Sequence, residues 1–145
     1  MADKQEWLPP VNFFFQVDFM NKYKGKGLKV SFQEVSGLGW NLNKNKTAAE
    51  QSISCKNLVL KRPLGPFNQE FSKWIEGCAG SKIYSEENIH NIVIKLLDKE
   101  RRPLAVWLCA HAYPVGYSIG DLNANKGDIL LETIELKYER LERKK

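Results

Sequence analysis

Apolar and polar residues alternate in several short segments of this chain, and this period of two constrains the fold more than any other feature of the sequence. In residues 12–20 the apolar positions that share one face are Phe13, Phe15, Val17 and Phe19. After a turn-rich connection the same spacing returns in Leu28, Val30 and Phe32. Because successive side chains of a strand point to opposite faces, the two segments predict half-buried strands that form an antiparallel hairpin.

A second, longer hairpin is predicted in residues 38–61. Ser36-Gly37-Leu38-Gly39 interrupts the alternation, which then resumes with Trp40 and Leu42. A polar tip follows in residues 46–51, and residues 52–61 return. The faces of this hairpin are mostly Asn, Ser, Thr and Lys, so it carries little apolar surface of its own.

One helix and several further strands are predicted. Gly65-Pro66 suits a helix start, and the stripe that follows is Phe67, Phe71, Trp74, Ile75 and Cys78. Residues 89–97 alternate, with His90, Ile92, Ile94 and Leu96 sharing one face. Residues 104–113 predict a buried strand that Pro114 ends or leaves at a sheet edge. Residues 129–141 fit both a strand and a helix, and their Glu, Lys and Leu content favours a helix.

These elements predict a mainly β fold: a small antiparallel β-barrel or sandwich with one flanking α-helix and a long β-hairpin. The 145 residues are the size of a single domain, and we expect residues 1–10 and 142–145 to be loose or to act as interface arms. The charged opening residues predict synthesis in the cytoplasm without a signal peptide, and no apolar run predicts a membrane span.

The residue types give no catalytic, cofactor-binding or metal-binding pattern. Cys55, Cys78 and Cys109 are far apart and predict unpaired, passive thiols. A cysteine-dependent enzyme is one alternative, because Cys109 and His111 would share a strand face. A basic β-barrel that binds single-stranded nucleic acid is another, because the net charge is +5 and aromatic residues stand near lysines.

Short motifs follow one another in a fixed order along the chain. They are Phe32-Gln33-Glu34-Val35-Ser36-Gly37-Leu38, Leu58-Val59-Leu60-Lys61-Arg62-Pro63, Trp74, Leu96-Leu97-Asp98, Pro103, Trp107, Ala112-Tyr113-Pro114-Val115, Asp121-Leu122-Asn123-Ala124 and Ile134-Glu135-Leu136. Together they resemble the tail tube proteins of contractile phages, including tube subunits of extracellular contractile injection systems. The resemblance covers about residues 13 to 141. The chain departs from that family where a glycine turn is replaced by Lys99-Glu100-Arg101-Arg102, and where His111 stands in place of a common Asn.

The resemblance implies a structural subunit and not an enzyme, without cofactor or metal. It implies hexameric rings that stack into a hollow tube inside a sheath, with baseplate and cap proteins at the ends and DNA or protein cargo in the lumen. It implies synthesis in the bacterial cytoplasm and a location in an assembled phage tail or an extracellular injection particle. The resemblance also implies that residues 129–141 form a strand, against their helical propensity.

Within such a tube we expect the long hairpin to build the inner wall. If Trp40 and Leu42 face protein, alternation predicts a lumen-lining set of Asn41, Asn43, Asn45, Ser52, Ser54 and Lys56. The corresponding subunit-interface set is Trp40, Leu42, Ile53 and Cys55. A register slip of one residue would exchange the two sets.

Overall fold

The described part of the chain consists of ten β-strands and one α-helix. The computed structural model describes residues 14–20, 28–43, 52–66, 69–77 and 89–145. In chain order the elements are β1 Phe14–Met20, β2 Leu28–Ser31, β3 Glu34–Ser36, β4 Trp40–Leu42, β5 Ile53–Cys55, β6 Leu58–Pro63, α1 Gln69–Gly77, β7 His90–Leu97, β8 Pro103–Ile119, β9 Leu131–Lys137 and β10 Arg140–Arg143.

Antiparallel pairing arranges the strands in the order β2-β1-β7-β8-β9-β6-β3, with β10 beside β8 and a separate β4–β5 pair. The strands at the two ends of this order, β2 and β3, are joined by Phe32 and Gln33 alone, so the sheet folds back on itself. At this corner the Gln33 amide donates to the Lys61 carbonyl over 2.8 Å. The described strands form a sandwich and do not close into a barrel, so the predicted mainly β class is confirmed in its sandwich form.

Two layers enclose the core. The first layer contains β2, β1, β7, β10 and the first half of β8, and the second contains β3, β6, β9 and the second half of β8. The inward residues at alternate strand positions are Val17, Phe19, Ile92, Ile94 and Cys109 in the first layer and Leu58, Leu60, Ile134 and Leu136 in the second. None of these side chains is more than 2% exposed. Burial of each large aliphatic side chain is worth roughly 1.5–3 kcal/mol, so the alternation fixes the layers energetically.

The helix α1 packs its predicted apolar stripe against the first layer. The rings of Phe71 and Trp74 lie edge-on to Phe19, with centroid distances of 5.7 and 5.0 Å. The Arg62 guanidinium lies over Phe71 at 4.9 Å from the ring centre. The part of the stripe formed by Phe71 and Trp74 is confirmed, and Phe67 and Cys78 lie outside the described residues.

The strand β8 is longer than the sequence predicts because it serves both layers. It pairs with β7 up to His90 opposite Ala112, and then with β9 from Tyr113 to Ile119. Pro114 lies inside the strand, opposite Leu136, so the prediction that Pro114 ends the strand is wrong. The alternative prediction, that Pro114 lies at a sheet edge, agrees with the structure. Past Ala112 no described strand pairs with β8 on the side where β7 lies, and proline is tolerated at such an edge.

Within residues 129–141 the chain forms β9 and the start of β10 and no helix, as the resemblance implies. β9 lies between β6 and β8, and β10 continues along β8. Tertiary pairing and the alternate burial of Ile134 and Leu136 override the helical propensity. The chain end expected to be loose is held, because the Lys144 amide donates to the Val106 carbonyl over 2.7 Å. A role as an interface arm stays a prediction, and residues 1–10 lie outside the described part.

Burial departs from the simple alternating pattern at two places, although the faces agree with it. Asp18 shares a face with Gln16, whose side-chain amide donates to it over 2.7 Å, but Asp18 is buried and forms an ion pair with Lys95 at 3.1 Å. At the end of β7 the register against β8 shifts between Leu96 and Leu97, and Leu97 is buried while Leu96 is half-buried. The register against β1 is unbroken, so Leu96 stays opposite Phe15 on the core face.

Candidate assembly surfaces

The long hairpin bends at a glycine that no other residue can replace without rearrangement. Gly37 has a φ of +91°, and a Cβ placed on it would lie 1.9 Å from the Asn57 carbonyl oxygen. L-residues with side chains rarely adopt this backbone conformation. The predicted interruption at Ser36-Gly37-Leu38-Gly39 is confirmed, since residues 37–39 are not in a strand.

A buried tyrosine fixes this bend to the body of the protein. The Tyr138 hydroxyl donates to the Gly37 carbonyl over 2.8 Å and accepts from the Gly39 amide at 3.3 Å. Burial raises the pKa of Tyr138 to about 12. Because Tyr138 follows β9 directly, the hairpin bend is held by the strand that crosses the centre of the second layer.

The chain turns over at the bend, so the alternation of faces in β5 is shifted by one residue relative to β6. Leu58 points into the core, and three residues earlier Cys55 also packs against the core. The Cys55 thiol donates to the Glu139 carbonyl over 3.4 Å. Two residues three positions apart lie on opposite faces of a regular strand, so the chain must turn over at residues 56–57.

Strand register separates the predicted site residues into two faces. Trp40 pairs with Cys55, Asn41 with Ser54 and Leu42 with Ile53, and the Asn43 amide donates to the Ser52 carbonyl over 3.1 Å. Paired residues share a face, so Trp40, Leu42, Ile53 and Cys55 form an apolar face and Asn41, Asn43, Ser52 and Ser54 form a polar face. Lys56 lies at the bend with its side chain over Gly39. The assignment of these faces to lumen and neighbour stays a prediction, and Asn45 lies outside the described residues.

The apolar face is exposed along most of its length. Trp40, Leu42 and Ile53 are 54%, 44% and 58% exposed, whereas Cys55 is half-buried against its own chain. Within the described residues β4 and β5 pair only with each other. Contiguous apolar surface rimmed by polar residues is typical of a contact surface.

The polar face continues onto the outer surface of the second layer, which the sequence analysis missed. Core residues of this layer alternate with outward-facing residues, which are Glu34, Ser36, Val59, Lys61, Thr133, Glu135, Gly116 and Ser118. Glu34 lies opposite Lys61, and the Asn57 amide donates to the Glu135 carboxylate over 2.9 Å. Since the bend places Asn41 and Ser54 on this same side, hairpin and layer form one surface, the polar wall. Only the pairing register, which the sequence does not give, could have revealed it.

A second apolar surface lies at the opposite end of the second layer, in the 120–130 loop. Leu122 and Ile129 are 84% and 69% exposed. The Gly120 amide donates to the Leu131 carbonyl over 2.9 Å and closes the loop. The loop residues surround a pocket of about 670 Å³. The sequence motif Asp121-Leu122-Asn123-Ala124 lies in this loop, and its residue pattern gives no indication of an exposed apolar surface.

The geometry does not support the cysteine-dependent enzyme. Cys109 is fully buried, and burial raises the pKa of its thiol to about 12, so it is not a nucleophile at neutral pH. His111 is exposed, has a φ of +54°, and binds Glu139 through its Nδ1 atom at 2.8 Å. The bulge at His111 therefore separates the two side chains that alternation had placed together.

The described residues form neither a metal site nor a membrane-spanning helix. Among the described residues no three His, Cys, Asp or Glu side chains come together as a metal site. The described helix is too short and too polar to span a membrane.

The chain belongs to the T4-like virus tail tube protein gp19 family, whose sequence profile matches residues 11–142. This confirms the resemblance that the ordered motifs indicated. No curated protein sequence matches the chain.

Solved structures of contractile injection systems share the fold. A chain of the anti-feeding prophage tube-terminating cap is 18% identical with a TM-score of 0.71, over 99% of both chains. A chain of the extended PVC sheath–tube complex is 21% identical with a TM-score of 0.69, over 97% of this chain and 93% of that one. Hcp1 from Flavobacterium johnsoniae is 14% identical with a TM-score of 0.60, over 91% and 95%.

Proposed function

We propose that the chain is the structural subunit of the inner tube of a contractile tail or injection system, and that it has no enzymatic role. Hexameric rings of the chain stack into a hollow conduit. The observation that carries this proposal is the β4–β5 hairpin, with an exposed apolar face and a polar face continuous with the sandwich. A two-stranded hairpin is marginal alone in water, whereas neighbouring copies would cover its apolar face and pair its edges.

Family membership and the related assemblies support the symmetry and the partners of this proposal. A chain of the sixfold-symmetrised anti-feeding prophage baseplate is 23% identical over 95% of this chain. The PVC relative lies in a sheath–tube complex. We assign this chain the same kinds of partner: copies of itself, a surrounding sheath, and baseplate and cap proteins, in a phage tail or an extracellular particle.

The polar wall is the surface that we assign to the lumen. Its side chains are small and uncharged apart from a few acidic and basic residues, and Glu34 lies across from Lys61. A surface of Asn, Ser and Thr keeps a bound water layer and offers cargo only weak contacts. Such a wall suits passage of DNA or protein cargo better than its retention.

Thiol labelling at Asn43 tests the assignment. An Asn43→Cys variant is assembled into tubes and treated with a small thiol reagent and with one too bulky to enter the lumen. We expect labelling by the small reagent alone. The matched control, Lys99→Cys in the exposed β7–β8 turn, should react with both. Strong labelling of Asn43→Cys by the bulky reagent would place the polar wall outside the tube and contradict the assignment.

Single-strand nucleic-acid binding is the second candidate, favoured by the exposed indole of Trp40 in a basic segment. Residues 36–62 carry five basic residues against Glu50. Aromatic rings with nearby cations bind single strands with strong salt dependence. Electron microscopy separates the candidates: hollow rings or tubes support the first, and a dispersed protein that binds oligonucleotides at low salt supports the second.

A further inference from the structure

The inward face of β6 and β9 carries two aliphatic cross-strand pairs and then a charged one. The third pair in the same register is Arg62 opposite Glu132. The Arg62 Nε atom lies 2.7 Å from the Glu132 carboxylate, and the two side chains are 18% and 6% exposed. A charged pair therefore occupies a position where the strand pattern would continue the apolar core.

This pair connects four parts of the molecule. The Arg62 guanidinium lies 4.9 Å from the ring centre of Phe71 on α1 and 5.6 Å from that of Phe32, which follows β2. The Tyr117 hydroxyl on β8 donates to the Glu132 carboxylate over 2.6 Å. Burial and this hydrogen bond raise the pKa of Tyr117 to about 12, so the hydroxyl keeps its proton at neutral pH. One network thus runs from the helix through β6 and β9 to β8.

Tyr117 lies in the part of β8 that lacks a neighbouring strand on one side. Past Ala112 no described strand pairs with β8 on the side where β7 lies. Tyr117 and Ile119 share the inward face with Glu132, but they are 44% and 46% exposed. A half-exposed ring can occupy more than one rotamer unless something holds it. Here a buried carboxylate holds the hydroxyl, and Arg62 holds the carboxylate.

The energetics of buried charges separate two roles for such a network. The cost of taking two charges out of water is about as large as their attraction, so replacing a buried ion pair by apolar residues of similar size is often neutral for stability. In some proteins buried polar groups select one arrangement of the surrounding elements among several.

We propose that Arg62 and Glu132 are positioning residues for tube assembly, which hold Tyr117, the free half of β8 and helix α1 in one arrangement. The inference rests on the proposed tube function. Association costs less when the exposed groups are already ordered, and a regular assembly of identical chains requires the same surface on every copy. An apolar pair at these positions would leave the Tyr117 hydroxyl without its acceptor, and the exposed half of β8 would lose its fixed arrangement.

Replacement of both charges by apolar residues separates positioning from stability. The Arg62→Met/Glu132→Leu chain keeps similar side-chain volumes, so we expect its urea midpoint under dispersed conditions to stay at or above that of the native chain. Hydrogen exchange at residues 113–119 should become about tenfold faster relative to β7, because one hydrogen bond to a charged group is lost. Tube formation should require a higher protein concentration.

The matched control makes the same two changes in the exposed ion pair of β10, as Arg140→Met/Glu142→Leu. It removes the same charges and should leave exchange at residues 113–119 unchanged. Unchanged exchange there in the Arg62→Met/Glu132→Leu chain would overturn the proposal. A uniform increase in β7 and β8 together with a lower urea midpoint would overturn it too, because the pair would then act through stability alone.

Tyr117→Phe keeps the charged pair and decides the case in which the double variant does not fold. We expect faster exchange at residues 113–119 than in β7, and tubes only at a higher protein concentration. Normal tubes from this variant and from any folded double variant would contradict the positioning role and leave the tube function intact. A native chain that forms no tubes would contradict the proposed function itself, and with it the assembly role of the pair.

Discussion

The long hairpin has a base, which is β6, and a projecting part formed by β4 and β5, which is called the tip below. Both follow the same alternating pattern, but they lie in opposite environments. At the base, β6 buries Leu58 and Leu60 completely, whereas at the tip Leu42 and Ile53 are about half exposed. The difference lies in what covers them: β9 and the core cover the base, and within the described residues the tip pairs only with itself. Alternation therefore establishes which residues share a face and leaves open what covers that face.

Truncation of one leucine at each end of the hairpin tests this difference most strongly. We expect Leu60→Ala to lower the free energy of unfolding by about 2–5 kcal/mol, because it leaves a cavity in a closed core. Leu42→Ala should change it by no more than about 0.5 kcal/mol in the unassembled chain. Urea unfolding of both variants under conditions that keep the chain dispersed measures the two effects.

When tube assembly is measured in place of stability, Leu42→Ala should have the larger effect and Leu60→Ala the smaller. Leu42→Ala removes apolar surface that we assign to a neighbouring copy, so it should raise the protein concentration needed for tube formation. A large loss of monomer stability in Leu42→Ala would show that the tip is covered by its own chain, and the comparison would fail.

Sequence reasoning predicted the elements that local pattern determines. The β1–β2 hairpin, the helix stripe at Phe71 and Trp74 and the glycine interruption of the long hairpin all follow from spacing and backbone preference. The strand at residues 131–137 required the resemblance, because Glu, Lys and Leu content favours a helix and only pairing with β6 and β8 decides otherwise.

Features that depend on distant pairing were beyond the sequence. The turnover at residues 56–57 requires Gly37 to approach the Asn57 carbonyl, and the continuation of β8 past Pro114 requires β9 as a partner. The burial of Glu132 depends on Arg62, seventy positions away, whose Nε lies 2.7 Å from the carboxylate. In the β4–β5 hairpin, alternation predicted two sets of residues, and the strand register places them on two faces. The extension of the polar wall onto β9 depends on pairing with β6 and β8, which the sequence does not give.

The hydrogen bonds from Tyr138 to Gly37 and Gly39 can be removed without a substitution in β4, β5 or β6. Tyr138→Phe removes the hydroxyl that holds Gly37 and Gly39, and we expect a loss of about 1–3 kcal/mol because buried backbone groups lose their partner. Hydrogen exchange should quicken at residues 37–43 and 52–57 more than in β7. The control is Tyr117→Phe, which removes a hydroxyl that donates to Glu132 over 2.6 Å away from the bend, and it should leave hydrogen exchange at residues 37–43 and 52–57 unchanged. Uniform quickening across both layers would show that Tyr138 supports the whole core and not the bend.

The two departures of this chain from the family pattern both fall at positions with a left-handed backbone conformation. Arg101 and His111 are the described non-glycine residues with positive φ, at 63° and 54°. Arg101 closes the β7–β8 turn, in which its amide donates to the Asp98 carbonyl over 3.0 Å. A three-residue hairpin loop of this form places its last residue in the left-handed region, where glycine is preferred. At the β8 bulge, where His111 stands in place of the common Asn, the left-handed region is one that Asn tolerates better than most residues.

A small gain in stability is expected from relief of the backbone strain at Arg101, in the β7–β8 hairpin. Left-handed backbone costs a residue with a side chain roughly 1–2 kcal/mol, and glycine adds chain entropy to the unfolded state, so Arg101→Gly should gain about 0.5–1 kcal/mol. For a domain of this size that is a rise in melting temperature of about 2 °C. Glu100→Gly, one position earlier and outside the left-handed region, should lower stability. Because the β7–β8 turn is complete without neighbours, the gain should appear fully in the unassembled chain and leave tube formation unchanged, unlike any change at Leu42. Equal responses of Arg101→Gly and Glu100→Gly would show that backbone strain is not what distinguishes this turn.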